Sequence, residues 1–122
     1  MKIKSFKDLE AWKIGHEFVI DIYKFSKLFP REEIYCLTSQ IRRAAISITS
    51  NIAEGFSRYS YKEKVRFYYN ARGSVSEYQN QLLIARDVDY ISKDNAEALS
   101  QKADRVRQIL NGLIRSTVSQ YQ

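Results

Sequence analysis

The sequence is poor in the residues that cross-link chains or hold metal ions. Its 122 residues include one cysteine, Cys36, and one histidine, His16. A single cysteine excludes an internal disulfide, so a chain of this length must be stabilised by a buried core. One cysteine and one histidine also fall short of the ligand set of a zinc site. We therefore expect no metal and no cofactor.

The sequence also lacks long apolar runs and recognisable catalytic patterns. No apolar run approaches the roughly 18 residues of a membrane span, and no signal segment opens the chain. No Ser-His-Asp set and no phosphate-binding glycine loop is present. Glu54 and Glu77 form no obvious catalytic pair, and we expect them to pair with Arg43, Arg72 or an arginine of a neighbouring subunit. These absences predict a non-catalytic, cytoplasmic protein without membrane contact.

The sequence does contain long apolar periodicity at helical spacing, most clearly from Gln40 to Phe56 (QIRRAAISITSNIAEGF). One face of this stretch is a core stripe of Leu37, Ile41, Ala44, Ile48, Ile52 and Gly55. A second face is a polar strip of Gln40, Arg43, Ser47, Ser50, Asn51 and Glu54, and whether Arg43, Ser47, Asn51 and Glu54 are structural or functional stays open. The third face, with Ile46 and Ala53, is small and partly apolar, which suits a neighbouring subunit.

Capping and turn residues divide the chain into four helices, at about 6–29, 31–57, 60–90 and 93–118. Ser5 with Asp8, and Ser60 with Glu63, have the spacing of capping boxes, and Pro30 is placed to separate the first two helices. No β-pattern and no linker appear. Because short connections between long helices force antiparallel neighbours, we predict an all-α, antiparallel up-down-up-down four-helix bundle, formed as a single domain of residues 1–122.

The first helix carries two apolar stripes, whereas a helix in a monomeric four-helix bundle needs only one. The stripe assigned to the core is Leu9, Trp12, His16, Val19 and Tyr23, which gives His16 a structural role. The other stripe predicts burial between subunits, since an exposed patch of that size is a liability. The predicted oligomer interface comprises Ile14, Phe18, Ile22, Phe25, Ile46 and Ala53. Close helix approach is expected at the mid-helix glycines Gly15, Gly73 and Gly112.

The net charge of +6 is unevenly distributed. Between residues 42 and 72, seven positive side chains face only two negative ones, and such a cluster attracts polyanions by counterion release. An ordinary solvated helical surface is the alternative. Tyr61 and Tyr68 fall on the core stripe of the third helix, which leaves only Tyr59 and Tyr69 free to stack on unpaired bases. Packing in a subunit interface or in the core is the alternative role of these tyrosines, and it is the favoured one. The predicted nucleic-acid-binding residues are Arg42, Arg43, Arg58, Lys62, Lys64, Arg66 and Arg72.

Several short blocks resemble a known family. They are Phe29-Pro30, EIYCL at 33–37, QIRRAA at 40–45, Ser47-Ile48, NIAEG at 51–55, and Gly73-Ser74 with Glu77. In order and spacing they resemble the bacterial S23-like proteins encoded by intervening sequences in 23S rRNA genes, to which the accessory proteins of diversity-generating retroelements look related. The resemblance implies a four-helix bundle, a pentamer, no established enzymatic activity, and a role in binding nucleic acid or a nucleic-acid-processing partner.

Two functions follow from these observations. The first is a non-catalytic, oligomeric, RNA-associated protein that binds nucleic acid through its basic surface. The alternative is a protein-interaction scaffold that docks a nucleic-acid-processing enzyme. RNA, DNA and protein stay open as ligands, as does the biological process, and the number of subunits rests on the resemblance alone.

Overall fold

The computed structural model describes residues 2–121, which fold into four α-helices. They are α1 (Glu10–Ser26), α2 (Leu37–Ser57), α3 (Tyr61–Asp87) and α4 (Lys93–Val118). Single 3₁₀ turns at Phe6–Asp8 and Arg31–Glu33 precede α1 and α2. No strand occurs within these residues. The prediction of an all-α protein with four helices is confirmed.

The first helix begins later than predicted because its capping residues close a separate 3₁₀ turn. The Asp8 carboxylate accepts hydrogen bonds from the backbone N–H groups of Lys4 at 2.9 Å and Ser5 at 3.0 Å, and these bonds hold its pKa below the usual value. Leu9 then adopts an extended conformation, with φ −72° and ψ 129°. The helical hydrogen-bond pattern therefore starts at Glu10, and it ends at Ser26 rather than near 29.

The second helix also begins later, at Leu37 rather than 31. Cys36 has a non-helical conformation (φ −120°, ψ −110°) that separates α2 from the 3₁₀ turn after Pro30. One carboxylate oxygen of Glu33 accepts the Leu37 N–H at 3.2 Å, and the other accepts the Tyr90 hydroxyl at 2.9 Å. Glu33 therefore caps the start of α2 and ties it to the segment between α3 and α4.

The third helix is four residues shorter than predicted, since it begins at Tyr61 and ends at Asp87, and the fourth matches the expected range. After Asp87 the chain leaves the helix, and Asp89 takes a left-handed conformation with φ 64°. Aspartate tolerates that conformation better than most residues. The Ser92 hydroxyl then accepts the Asn95 N–H at 3.1 Å and caps α4.

Each helix packs against two others, in the cycle α1, α2, α3, α4 and back to α1. Contacts along each neighbouring pair run in opposite chain directions, which is the arrangement that an up-down-up-down order requires. The side-chain hydrogen bonds and ion pairs that define these directions are Ser26 with Arg42; Ser47 with Ser74; Arg72 with Asn111 and Gln79 with Arg107; Glu10 with Arg105 and Asp21 with Lys102. The close approaches of Thr49 to Gly15 and of Tyr68 to Gly55 run in the same sense.

Most apolar residues of both predicted stripes of α1 face one core inside the protomer. Tyr23, assigned to the core stripe, is an exception and is 37% exposed. Phe18 and Ile22 are completely buried, at 0% exposure, and the Phe18 ring stacks on Tyr78 of α3. Ile14 and Phe25 are partly buried against the same core. Because α1 contacts α2 on one side and α4 on the other, it buries a broad apolar face in this bundle.

The predicted subunit interface is accordingly wrong for Phe18 and Ile22, which have no surface left for a second copy. Of the remaining members, Ala53 is partly buried and Ile46 is 40% exposed. The assignment of His16 to the core is also wrong. Its imidazole is exposed and stacks on Trp12, with ring centroids 4.8 Å apart.

The glycines differ in how closely another helix approaches them. A Cβ added at Gly55 would lie 2.7 Å from Tyr68 Cε1 and 3.0 Å from Phe67 Cβ, and one at Gly15 would lie 3.0 Å from Thr49 Cγ2. At Gly73 nothing lies within 4 Å, and at Gly112 only Arg115 of the same helix does, so the expected close approach is wrong at both. Of these glycines, Gly55 is the one that a neighbouring helix approaches most closely. The sequence had placed it only in the core stripe.

The different packing at Gly55 and Gly73 predicts that replacing glycine by alanine has opposite effects on the free energy of unfolding at the two positions. Gly55→Ala should lower the free energy of unfolding by about 1–3 kcal/mol, because a methyl group has to displace Tyr68 or separate α2 from α3. Gly73→Ala should raise it by up to about 1 kcal/mol, since alanine favours an exposed helix interior over glycine. Urea unfolding at one protein concentration measures both. Equal effects of the two substitutions would contradict the packing described here.

Candidate nucleic-acid interface

The connection between α2 and α3 forms one end of the bundle. Only three residues, 58–60, join the two helices, and Ser60 caps α3 by accepting the Glu63 N–H at 3.1 Å. The contact of Gly55 with Tyr68 holds the helices together just before this connection. Burial raises the pKa of Tyr68 to about 12, so its hydroxyl stays neutral in the packed interface. Side chains near the connection are therefore confined to a small region.

Four of the predicted basic residues lie in this region, and aromatic rings hold three of them in place. The guanidinium carbons of Arg58 and Arg66 lie 4.6 Å and 5.8 Å from the centre of the Phe67 ring. The Lys64 Nζ lies 5.3 Å from the centre of the Phe56 ring. Cation–π contacts of this kind contribute about 0.5–1 kcal/mol each at exposed sites. They fix the positions of three positive charges on one end of the molecule.

Lys64 has a structural role in addition to its charge. Its Nζ donates a hydrogen bond of 2.6 Å to the Phe56 carbonyl, in the last turn of α2. That carbonyl belongs to the group at a helix C-terminus that has no partner within the helix, and a cation is favourable there. Burial lowers the pKa of the Lys64 amine. Lys64 thus ties the start of α3 to the end of α2.

The fourth residue, Lys62, brings the C-terminal end of the described chain into this region. Its Nζ lies 6.0 Å from the centre of the Tyr121 ring, three residues beyond the end of α4. We call the group of Arg58, Lys62, Lys64 and Arg66 the basic end of the bundle. Residues 57–62, Lys64 and Tyr121 line an open groove of about 760 Å³ on it, which we call the end groove.

Two carboxylates lie close to the basic end in sequence, and they offset only part of its four positive charges. The Glu54 carboxylate lies 3.7 Å from the Arg58 guanidinium, with about half of each side chain exposed. Exposed pairs of this kind contribute little stability. Glu63 is exposed in the first turn of α3. Within residues 2–121 Glu54 pairs with Arg58, the residue that follows α2, so the prediction of Arg43 or Arg72 is wrong. Pairing with an arginine of a neighbouring subunit stays a prediction.

Tyr59 and Tyr61 are both available at the end groove. Tyr59 is 99% exposed, so it is not packed in the core, and Tyr61 is 45% exposed. The assignment of Tyr61 to the core stripe is wrong because it is the first residue of α3, where no neighbouring helix covers it. Tyr68, two turns further along the same stripe, is buried as predicted.

The other three predicted basic residues lie elsewhere. Arg43 is fifteen residues before Arg58, which places them roughly 22 Å apart along the helix axis at about 1.5 Å per residue. Arg42 is held against α1, where its Nε donates to Ser26 Oγ at 2.8 Å and its guanidinium covers the Tyr23 ring at 4.7 Å. Arg72 donates to Asn111 Oδ1 of α4 at 2.9 Å. The seven residues therefore do not form one surface.

The polar strip of α2 divides into structural and exposed members. The Ser47 and Ser74 hydroxyls form a 2.9 Å hydrogen bond between α2 and α3. Asn51 Nδ2 donates to the Ser47 carbonyl at 2.8 Å and to its hydroxyl at 3.1 Å. Ser47 and Asn51 thus serve helix packing, whereas Arg43 and Glu54 are exposed.

Three aromatic residues of this end were not identified from the sequence. Phe56 and Phe67 could have been found, because each lies off its helix's core stripe and beside basic residues in the sequence. Tyr121 gives no local signal, since only the antiparallel packing of α4 brings it to Lys62. Among residues 2–121 no group of acidic, histidine and cysteine side chains could hold a metal ion. Within the same range, no helix has the length and apolar character of a membrane span.

Comparisons with known proteins identify relatives of the whole fold. A family model described as 23S rRNA-intervening sequence protein matches residues 7–112. The chain is similar to the crystal structure of a protein of unknown function from the S23 ribosomal protein family of Bacteroides thetaiotaomicron, with a TM-score of 0.79. The two share 21% identity, over 85% of this chain and 97% of that one, so the likeness concerns the fold. No curated protein matches the chain.

Proposed function

Because the chain belongs to the family of 23S rRNA-intervening sequence proteins, we propose that it is a non-catalytic, RNA-associated protein that binds nucleic acid through the basic end of its bundle. The observation that carries the proposal is the concentration of Arg58, Lys62, Lys64 and Arg66 around a connection of three residues. The family's description, which names 23S rRNA, favours RNA as the ligand.

The basic end is suited to phosphate groups rather than to an internal ion-pair network. Between residues 54 and 72 there are five positive side chains and two negative ones. Only Arg58 of the four forms an ion pair within residues 2–121, and that pair is long and exposed. Positive side chains that lack carboxylate partners release counterions from nucleic acid when they bind it. We therefore expect affinity to depend strongly on salt and weakly on base sequence.

The proposal includes self-association, with a homopentamer as the expected assembly. Tyr23, Ile34 and Ile46 are large apolar residues that are exposed together along a groove of about 460 Å³. The groove lies far along α2 from the basic end, so subunits joined there leave that end free. Several copies in one assembly raise the effective concentration of basic ends along a bound RNA.

Charge reversal at the basic end tests nucleic-acid binding. We expect Lys62→Glu with Arg66→Glu to weaken binding of a labelled RNA at least tenfold at low salt. If each of the two contacts one phosphate of a single strand, the slope of log affinity against log salt should fall in magnitude by about 1.4. Fluorescence anisotropy at several salt concentrations measures both, with a structured RNA, a single-stranded RNA and a DNA duplex as ligands.

The matched control is Lys24→Glu with Lys27→Glu, two exposed lysines at the far end of α1 that give the same change in net charge. Binding should stay within twofold of the unmodified protein, and circular dichroism should show both variants folded. Equal losses in the two variants would indicate attraction to net charge alone. No binding by the unmodified protein at low salt would exclude the proposal and leave the scaffold function, tested next by copurification with a protein partner.

A single substitution tests self-association. Ile46→Glu places a charge on the exposed apolar groove, so it should reduce the mass measured by light scattering after size exclusion. Leu83→Glu is the control, since Leu83 on α3 is exposed to a similar extent, 47% against 40%. A monomeric unmodified protein, or dissociation by Leu83→Glu alone, would contradict this interface.

A further inference from the structure

Two tyrosines at the end groove have no structural task that explains them. Tyr59 lies on the connection between α2 and α3 and exposes 99% of its surface, while Tyr61 exposes 45%. Neither forms a side-chain hydrogen bond or an aromatic contact with residues 2–121. Single exposed aromatic residues are common on protein surfaces, and Tyr35, outside the end groove, is 90% exposed. Tyr59 and Tyr61 differ from it because both line one groove together with Arg58, Lys62 and Lys64.

The neighbouring aromatic rings are already occupied by cations of the same chain. Lys64 covers Phe56, Arg58 and Arg66 flank Phe67, and Lys62 approaches Tyr121. No cation within residues 2–121 covers Tyr59 or Tyr61. The end groove thus combines two free aromatic surfaces with fixed positive charges around them.

This combination matches one chemical class of ligand. An unpaired nucleotide offers a flat, polarisable base for stacking on an aromatic ring and a phosphate for the cations beside it. The groove volume of about 760 Å³ lies within the range of about 300–1,000 Å³ that is usual for small-ligand sites. A base inside a duplex is covered on both faces by its neighbours and cannot lie flat on Tyr59. Stacking at this groove would therefore favour unpaired bases.

We propose that the end groove binds an unpaired nucleotide of a single-stranded RNA, with its base stacked on Tyr59 or Tyr61 and its phosphates contacting Arg58 and Lys62. This inference rests on the proposed function and adds a preference to it. The basic end supplies attraction to any nucleic acid, and the two tyrosines supply additional affinity only for strands with exposed bases. Sequence preference stays weak, because every base has a flat face.

The test removes the rings and keeps the charges. Tyr59→Ala with Tyr61→Ala should weaken binding of a short labelled single-stranded RNA by roughly 5- to 150-fold, the range that corresponds to losing one stacked base. Binding of an RNA duplex of the same length should stay within twofold. Tyr59→Phe with Tyr61→Phe should restore single-strand binding, because phenylalanine retains the ring and loses only the hydroxyl.

Two further controls separate stacking from other effects. Tyr35→Ala removes a tyrosine that is 90% exposed outside the end groove, and it should leave both affinities unchanged. A single strand with its bases removed should bind the unmodified protein as weakly as the normal strand binds the Tyr59→Ala, Tyr61→Ala variant. Thermal unfolding should be the same for all variants, since the altered side chains are exposed.

The outcomes distinguish this inference from the proposed function. If the alanine variant loses no affinity, or loses it equally for duplex and single strand, the stacking site is wrong. If Lys62→Glu with Arg66→Glu still abolishes binding in that case, the basic end remains the site and acts through charge alone. If the unmodified protein binds neither RNA at low salt, both proposals are wrong.

Discussion

The close contact between α2 and α3 is the constraint on which the candidate site depends. Gly55 permits it, because any larger residue would meet Tyr68 within 3 Å. With the helices this close, three residues suffice to reverse the chain direction, and the start of α3 folds back beside the end of α2. Lys64 reinforces the reversal through the Phe56 carbonyl. Helix packing and the clustering of charge at the basic end thus have one physical origin.

Local periodicity predicted the four helices well, since each core stripe alternates at three and four residues. It failed at the helix starts, where Leu9 and Cys36 interrupt the helical conformation in ways that residue preference does not reveal. Periodicity also led to a wrong prediction of what buries the second apolar stripe of α1. Two apolar stripes on one helix indicated a subunit interface, but Phe18 and Ile22 are covered by the other helices of the same chain. A bundle helix with two neighbours buries both stripes.

The candidate site was predictable to the extent that it is local in sequence. Arg58, Lys62, Lys64 and Arg66 lie within nine residues, so any short connection brings them together. Arg42 and Arg43 could have been separated from this group at the same stage, because the predicted helix of residues 31–57 already places them about four turns before Arg58. The contact of Tyr121 with Lys62 depends on the packing of α4, to which nothing near residue 121 points.

In the proposed function, the basic end, rather than the sides of the bundle, contacts RNA. Ultraviolet crosslinking of the unmodified protein to a single-stranded RNA containing 4-thiouridine, followed by mass spectrometry of the crosslinked peptides, tests this most directly. We predict crosslinks at Tyr59 or Tyr61, and within residues 56–67 more generally, that disappear at high salt. Crosslinks concentrated at Arg42, Arg43 and the adjoining part of α1, with none between residues 56 and 67, would contradict it.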